Sequence, residues 1–156
     1  MAAAAALGFA GTAQAVAPVN AIPAADNTLC GNVYAGTWVE NGAPPSTATA
    51  LQGATVSATV YDKNDIAKTT QASNTNATGG YCITDTSGTL KSTVLAGGYV
   101  VLTATSLPAG HTINPPSSNP WATSGGQTKI DTGVFLAHQY GGLLSSKAYQ
   151  FHFATT

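Results

Sequence analysis

Cys30 and Cys82, His111, His138 and His152, and Trp38 and Trp121 are the side chains of this 156-residue chain best equipped for chemistry. The thiols could bridge or hold a metal, the imidazoles could ligate or move protons, and the indoles could stack on a ligand. For the cysteines the alternation of side chains along a strand is informative. Around Cys30 the core-facing residue is Val33, which sends Cys30 to the opposite face; beside Cys82, Tyr81 and Ile83 face the core, so Cys82 also points outward. A cross-strand disulfide between neighbouring strands needs this arrangement. Closing a loop of about fifty residues would stabilise the fold by roughly 4 kcal/mol at most. Two free thiols are the alternative, and a metal pair lacks a third ligand nearby.

The histidines show no metal-ligand spacing. Asp131 and His138 share one predicted strand but fall on opposite faces of it, His152 reads as a solvent-facing strand residue, and His111 as a loop residue. No serine sits in a Gly-x-Ser-x-Gly elbow. The sequence therefore predicts no catalytic residue, no metal and no cofactor. Trp38 and Trp121 lie in the two longest loops. With Asn119 and Gln127 they could form a platform that stacks on a sugar and hydrogen-bonds its hydroxyls. The simpler reading is that each indole pins its loop onto the body of the domain. The sequon Asn76-Ala77-Thr78 sits in a turn and matters only where such sites are glycosylated.

The composition narrows the partners. Charged residues make up 7% of the chain, and the five cations are all lysines, with a formal net charge of −1. Nucleic acid is excluded, because binding it requires several Lys or Arg on phosphates. Bidentate guanidinium recognition is impossible without arginine. Residues 1–15 resemble the end of a secretory signal peptide, an apolar Ala-rich stretch closed by Ala13-Gln14-Ala15. That stretch is too short to span a bilayer, so the mature chain is not expected to insert in a membrane. A cysteine pair also suits an exported protein.

The elements that must position these residues are strands. Val56, Ala58 and Val60 alternate with Thr55, Ser57, Thr59 and Tyr61, the two-residue period of a half-buried strand. Further strands are expected at about 28–35, 66–72, 80–85, 98–106, 129–138 and 147–155, with a short one near 89–95. Residues 16–27 read as an Ala/Pro linker and 28–156 as one domain. The segment 108–128 carries four prolines and no strand pattern. Strands separated by Gly, Asn, Asp and Pro clusters give an all-β sandwich of about seven to eight strands, with no helix of ordinary length.

The order of the motifs resembles the Cna B-type, or SdrD B-like, domains of bacterial surface proteins. The matching segments are Gly31–Tyr34, Gly53–Val56, the turn Asp62–Asp65, Lys68–Thr70, Gly79–Ile83, Gly97–Val101 and Ile130–Phe135. Carboxypeptidase regulatory-like and plant Ole e 1-like domains share much of this pattern. The resemblance implies a single Greek-key, prealbumin-like (Ig-like) sandwich. Many such domains join a first-strand lysine to a last-strand asparagine, but here no lysine precedes Lys63. Calcium-binding members place repeated Asp and Asn after the first strand, where this chain keeps only Glu40 and Asn41. Two enzymes of the fold class fit no better. Hydroxyisourate hydrolases use an arginine, and intradiol dioxygenases carry a His-x-His where this chain has Phe151-His152-Phe153.

These features lead to one expectation: a secreted, non-enzymatic sandwich with a structural, adhesive or ligand-presenting role at the cell surface or outside it. Its partner would be an extracellular protein or polysaccharide; the sequence sets no oligomeric state. The alternatives are a carbohydrate- or polymer-binding module using the loop tryptophans, and an accessory or inhibitor domain of a secreted enzyme.

Overall fold

A computed structural model describes residues 15–114, 122–124 and 126–156. Two sheets enclose the core. The first is antiparallel and runs β4 (Ala67–Asn74), β3 (Thr55–Tyr61), β6 (Tyr99–Ser106), β8 (Gln127–Ile130), β7 (Ala122–Ser124). The second is built around β1 (Thr28–Ala35). It pairs antiparallel with β2 (Thr49–Ala50) and β5 (Gly80–Thr84), and parallel with β9 (Lys147–Ala148) and β10 (Phe153–Thr155). Val56, Val60, Val100, Leu102 and Ile130 of the first sheet meet Leu29, Val33, Ile83 and Phe153 of the second and Phe151 of the link between β9 and β10, all buried. Full burial of each such side chain contributes roughly 1.5–3 kcal/mol. The expected all-β sandwich is present.

Strand β1 is buried on both faces, a pattern the half-buried reading of its sequence did not anticipate. Its inner face, Leu29 and Val33, enters the core, while Cys30, Asn32 and Tyr34 are each wholly buried on the outer face. What covers that outer face is the chain's own ends and loops. Residues 16–27, expected to be a linker, lie along it. Val19 N donates to Thr78 O at 3.2 Å and Ala50 N to Val16 O at 2.7 Å. The Asn32 side chain holds the same segment twice, accepting from Ala21 N at 3.1 Å and donating to Val19 O at 2.7 Å. An unperiodic segment gave no hint of this, because main-chain pairing leaves little trace in side-chain pattern.

Gly31 explains why this strand can sit so deep. The Tyr81 hydroxyl crosses over it to donate to Phe151 O at 2.7 Å. A Cβ at position 31 would run into that carbonyl, and would stand 2.8 Å from the Tyr81 oxygen. Only glycine permits the C-terminal segment to approach so closely.

Three expected strands differ. Residues 90–95 form helix α1 (Leu90–Leu95) in place of a short strand. Leu90 and Val94, one helical turn apart, are its buried pair, a spacing that competed with the β-branched composition. The expected strand 129–138 stops at Ile130. There Asp131 accepts from Val134 N at 3.0 Å and starts helix α2 (Thr132–Ala137). Asp131 and His138 are thus the two caps of a helix, not opposite faces of a strand. The last expected strand is broken between β9 and β10, where Gln150 takes a left-handed φ of 69°. Each helix is only six residues long, so their formation depends on packing rather than on propensity.

Candidate functional site

The disulfide has the pairing read from the sequence. Cys30 and Cys82 face each other in the β1–β5 register and are bonded, with Cα atoms 4.1 Å apart at a sequence separation of 52. Cys82 remains exposed while Cys30 is covered. The covering segment reaches it through Ile22, whose carbonyl lies 3.8 Å from the Cys82 sulfur.

His152 is the clearest departure from expectation. It is buried rather than solvent-facing, with 5% of its surface exposed. Its Nδ1 accepts from Asn32 N at 3.1 Å, and its Nε2 lies 2.7 Å from Gly42 O. An imidazole nitrogen that accepts from a main-chain N–H carries no proton, so the neutral ring bears its hydrogen on Nε2 and donates it to Gly42. Burial lowers its pKa from the ordinary 6.5 to about 4, the hydrogen bond to Gly42 and the nearby His138 being smaller influences in opposite directions. His138 is buried as well, stacked on Phe151 with ring centroids 4.5 Å apart, and bonded through Nδ1 to Tyr149 O at 2.9 Å. Desolvation lowers its pKa too, against the smaller opposing effects of the Tyr149 carbonyl and of Glu40.

The loop after β1 closes over this region. Trp38 Nε1 donates to His152 O at 3.2 Å, and the indole packs with Tyr34, Ala48 and Ala154. Asn41 Nδ2 donates to Ala137 O at 3.2 Å. Burial raises the Tyr34 phenol to about 12, and its hydroxyl donates to Thr37 O at 3.2 Å. Through its bond to His152 O, Trp38 ties its loop to the C-terminal segment while its indole stays half-buried. Trp121 and Asn119 lie outside the described residues. Gln127 is on the opposite sheet, where Nε2 approaches Thr103 Oγ1 at 3.5 Å. Trp38 and Gln127 are consequently not brought together into one platform.

The histidine pair is bonded to the chain's own main chain. Both nitrogens of His152 face main-chain groups of this chain, and no group of three His, Cys, Asp or Glu able to hold a metal occurs among the described residues. Sequence reasoning missed this pair and Asn32. The available signals were the aromatic flanks of His152 and the uncharged run of β1, whose sequence suits a strand covered on both sides. His111, expected in a loop, does lie in one, with Nδ1 2.9 Å from Thr156 O. Asn76 Oδ1 accepts from Thr78 N and Gly80 N, both at 3.0 Å, which shapes the turn at the sequon.

Among the described residues, the surface features open to ligands include two on or beside the first sheet. One is a hollow of about 340 Å³ between the β3–β4 turn and α1, walled by Asp62, Lys63, Lys68, Ser92 and Thr93. Lys68 is ion-paired with Asp62 at 3.7 Å across it. The other is the outward face of the first sheet, where Thr59 pairs across strands with Thr70 and Val101, and Ser57 with Ala72 and Thr103. At its end Tyr61 and Tyr99 stack with centroids 5.0 Å apart, and the Lys129 ammonium stands 4.4 Å above the Tyr99 ring.

No family model and no curated protein matches the chain. Among solved structures, the major plantain pollen allergen Pla l 1 is similar at a TM-score of 0.46 and 12% identity, over 85% of this chain and 95% of that chain.

Proposed function

We propose that this chain is an extracellular, non-enzymatic β-sandwich module with a structural, adhesive or ligand-presenting role, prealbumin-like in topology and related to the Cna B-type domains its motifs resemble. The observation that carries the reading is the Cys30–Cys82 bridge at the middle of the doubly buried strand β1. A cross-link in that position is maintained in an oxidising compartment. The involvement of the histidines in main-chain contacts supports the non-enzymatic part. No helix among the described residues is long and apolar enough to cross a membrane.

Expression with the leader, followed by fractionation and non-reducing mass spectrometry, tests this reading. We expect processed chain in the medium or on the cell surface, with the Cys30 and Cys82 peptides linked. Cytosolic chain carrying two free thiols would overturn it, as would hydrolytic activity in zymograms against extracellular substrates.

A further inference from the structure

The outward face of the first sheet lies on the side away from the core. Its residues alternate with the core residues of the same strands, and each is half-buried or exposed. The side chains across the middle rows are short: Ser57, Ala72 and Thr103 in one row, Thr59, Thr70 and Val101 in the next. Short side chains leave the surface flat. Several are held in place by each other: the Thr59 and Thr70 hydroxyls bond at 2.9 Å, and Thr55 Oγ1 donates to Asn74 Oδ1 at 2.8 Å. Fixing these groups beforehand lowers the entropy lost when a ligand binds.

The end of the face is aromatic. Tyr61 stacks on Tyr99, whose hydroxyl donates to Asp65 Oδ1 at 2.8 Å. Opposite Tyr61 on β4 stands Ala67, whose side chain ends at Cβ and offers no ring to stack on it. Lys129 is the cation of the face, its ammonium already placed over Tyr99, and the Asp65 carboxylate stands at the hydroxyl of the same ring.

We propose that this face docks a neutral polysaccharide, with Tyr61, itself backed by Tyr99, stacking against a sugar ring and the Thr59 and Ser57 rows hydrogen-bonding its hydroxyls. The inference rests on the extracellular reading above. Charge selects the occupant. Nucleic acid and anionic lipid surfaces need several cations, and the face has Lys129. A second copy of this chain would need an apolar centre to hold a stable interface, and beyond the tyrosines the face offers little more than Val101 and Ala72. A neutral polyhydroxyl chain matches it, since Thr and Ser hydroxyls both donate and accept and a sugar's C–H face suits an aromatic ring.

The test uses the full oxidised chain with microcrystalline cellulose and chitin in depletion assays, and hydroxyethyl cellulose in affinity gels. The variants are Tyr61→Ala and Ser57→Lys, both on the solvent side of β3, with thermal unfolding as the folding control. We expect the wild-type chain to bind at least one probe, undiminished by high salt, and each variant to weaken binding about tenfold. No binding to any probe, binding indifferent to both variants, or binding abolished by salt would overturn the proposal. So would concentration-dependent self-association, measured by sedimentation, that Ser57→Lys removes, because the occupant would then be a second copy. An exported, disulfide-linked chain that binds no probe sinks this proposal alone; a cytosolic chain with free thiols sinks the extracellular reading and this one together.

Discussion

His152 completes the main-chain hydrogen bonding of Asn32 on β1. Its Nδ1 accepts the Asn32 main-chain N–H at 3.1 Å where the parallel pairing of β1 with β10 has not yet begun, so a side chain supplies what a backbone carbonyl would otherwise give. The same Asn32 uses its side chain to hold residues 19 and 21. Asn32 therefore ties both ends of the chain to β1.

Acid should loosen this arrangement. The folded pKa of His152, about 4, lies below its ordinary 6.5. Between those values the unfolded chain binds the extra proton, so stability present at neutral pH falls as pH drops through the window and is lost below about pH 4. The shift corresponds to about 3 kcal/mol, and His138, shifted in the same direction, adds to the effect. Urea unfolding from pH 7 to pH 4 measures it. His152→Gln should flatten the slope while costing about 1–2 kcal/mol at pH 7 through lost hydrogen bonds. An unchanged slope in that variant would show that other groups carry the acid sensitivity.

Gly31→Ala should be among the most damaging single changes. The added Cβ meets the Phe151 carbonyl and the Tyr81 hydroxyl, both held in place by their own hydrogen bond. Backbone cannot yield cheaply, so we expect a loss of about 3 kcal/mol or more. Hydrogen exchange should speed up first in residues 147–155. Wild-type protection there would contradict the proposed close approach.

Replacing both Cys30 and Cys82 by alanine should lower stability by about 2–4 kcal/mol with the fold retained, because the bridge closes a long loop between paired strands. Near-ultraviolet circular dichroism and urea midpoints, compared with the reduced wild-type chain, check both parts.

Asn32→Ala should release the segment 16–25. Its two amide bonds, to Ala21 and Val19, are lost; both are only part-buried, so water can take over the freed main-chain groups and the cost should be about 1–2 kcal/mol. Limited proteolysis should then cut before Thr28 at protease levels that leave the wild-type chain intact. Equal resistance would mean that main-chain pairing through Val16 and Val19 suffices.

No Lys–Asn isopeptide bond is expected. Lys63, Lys68 and Lys129 are exposed, and Lys91 and Lys147 only half-buried, so none of the five amines lies in the core. The buried acid Asp85 is engaged by Ser87 and Thr89. The intact mass should equal that of the processed, disulfide-bonded chain; a deficit of one ammonia would contradict this.

Alternation alone locates the strands whose two faces differ. β3 alternates Val56, Ala58 and Val60 with hydroxyls and tyrosine, and that pattern placed it, its partner β6 and the cysteines correctly, because a two-residue period is local and survives any packing. The tertiary structure decided what local pattern leaves degenerate. Whether Leu90–Leu95 became a strand or a helix depended on the core that receives Leu90 and Val94. Whether His152 met solvent depended on the loop carrying Trp38 and Gly42 folding over it. The docking of residues 16–27 rests on main-chain hydrogen bonds and on one amide, Asn32, far away in sequence. Side-chain pattern reports which face of an element is apolar; only the assembled chain fixes what lies against it.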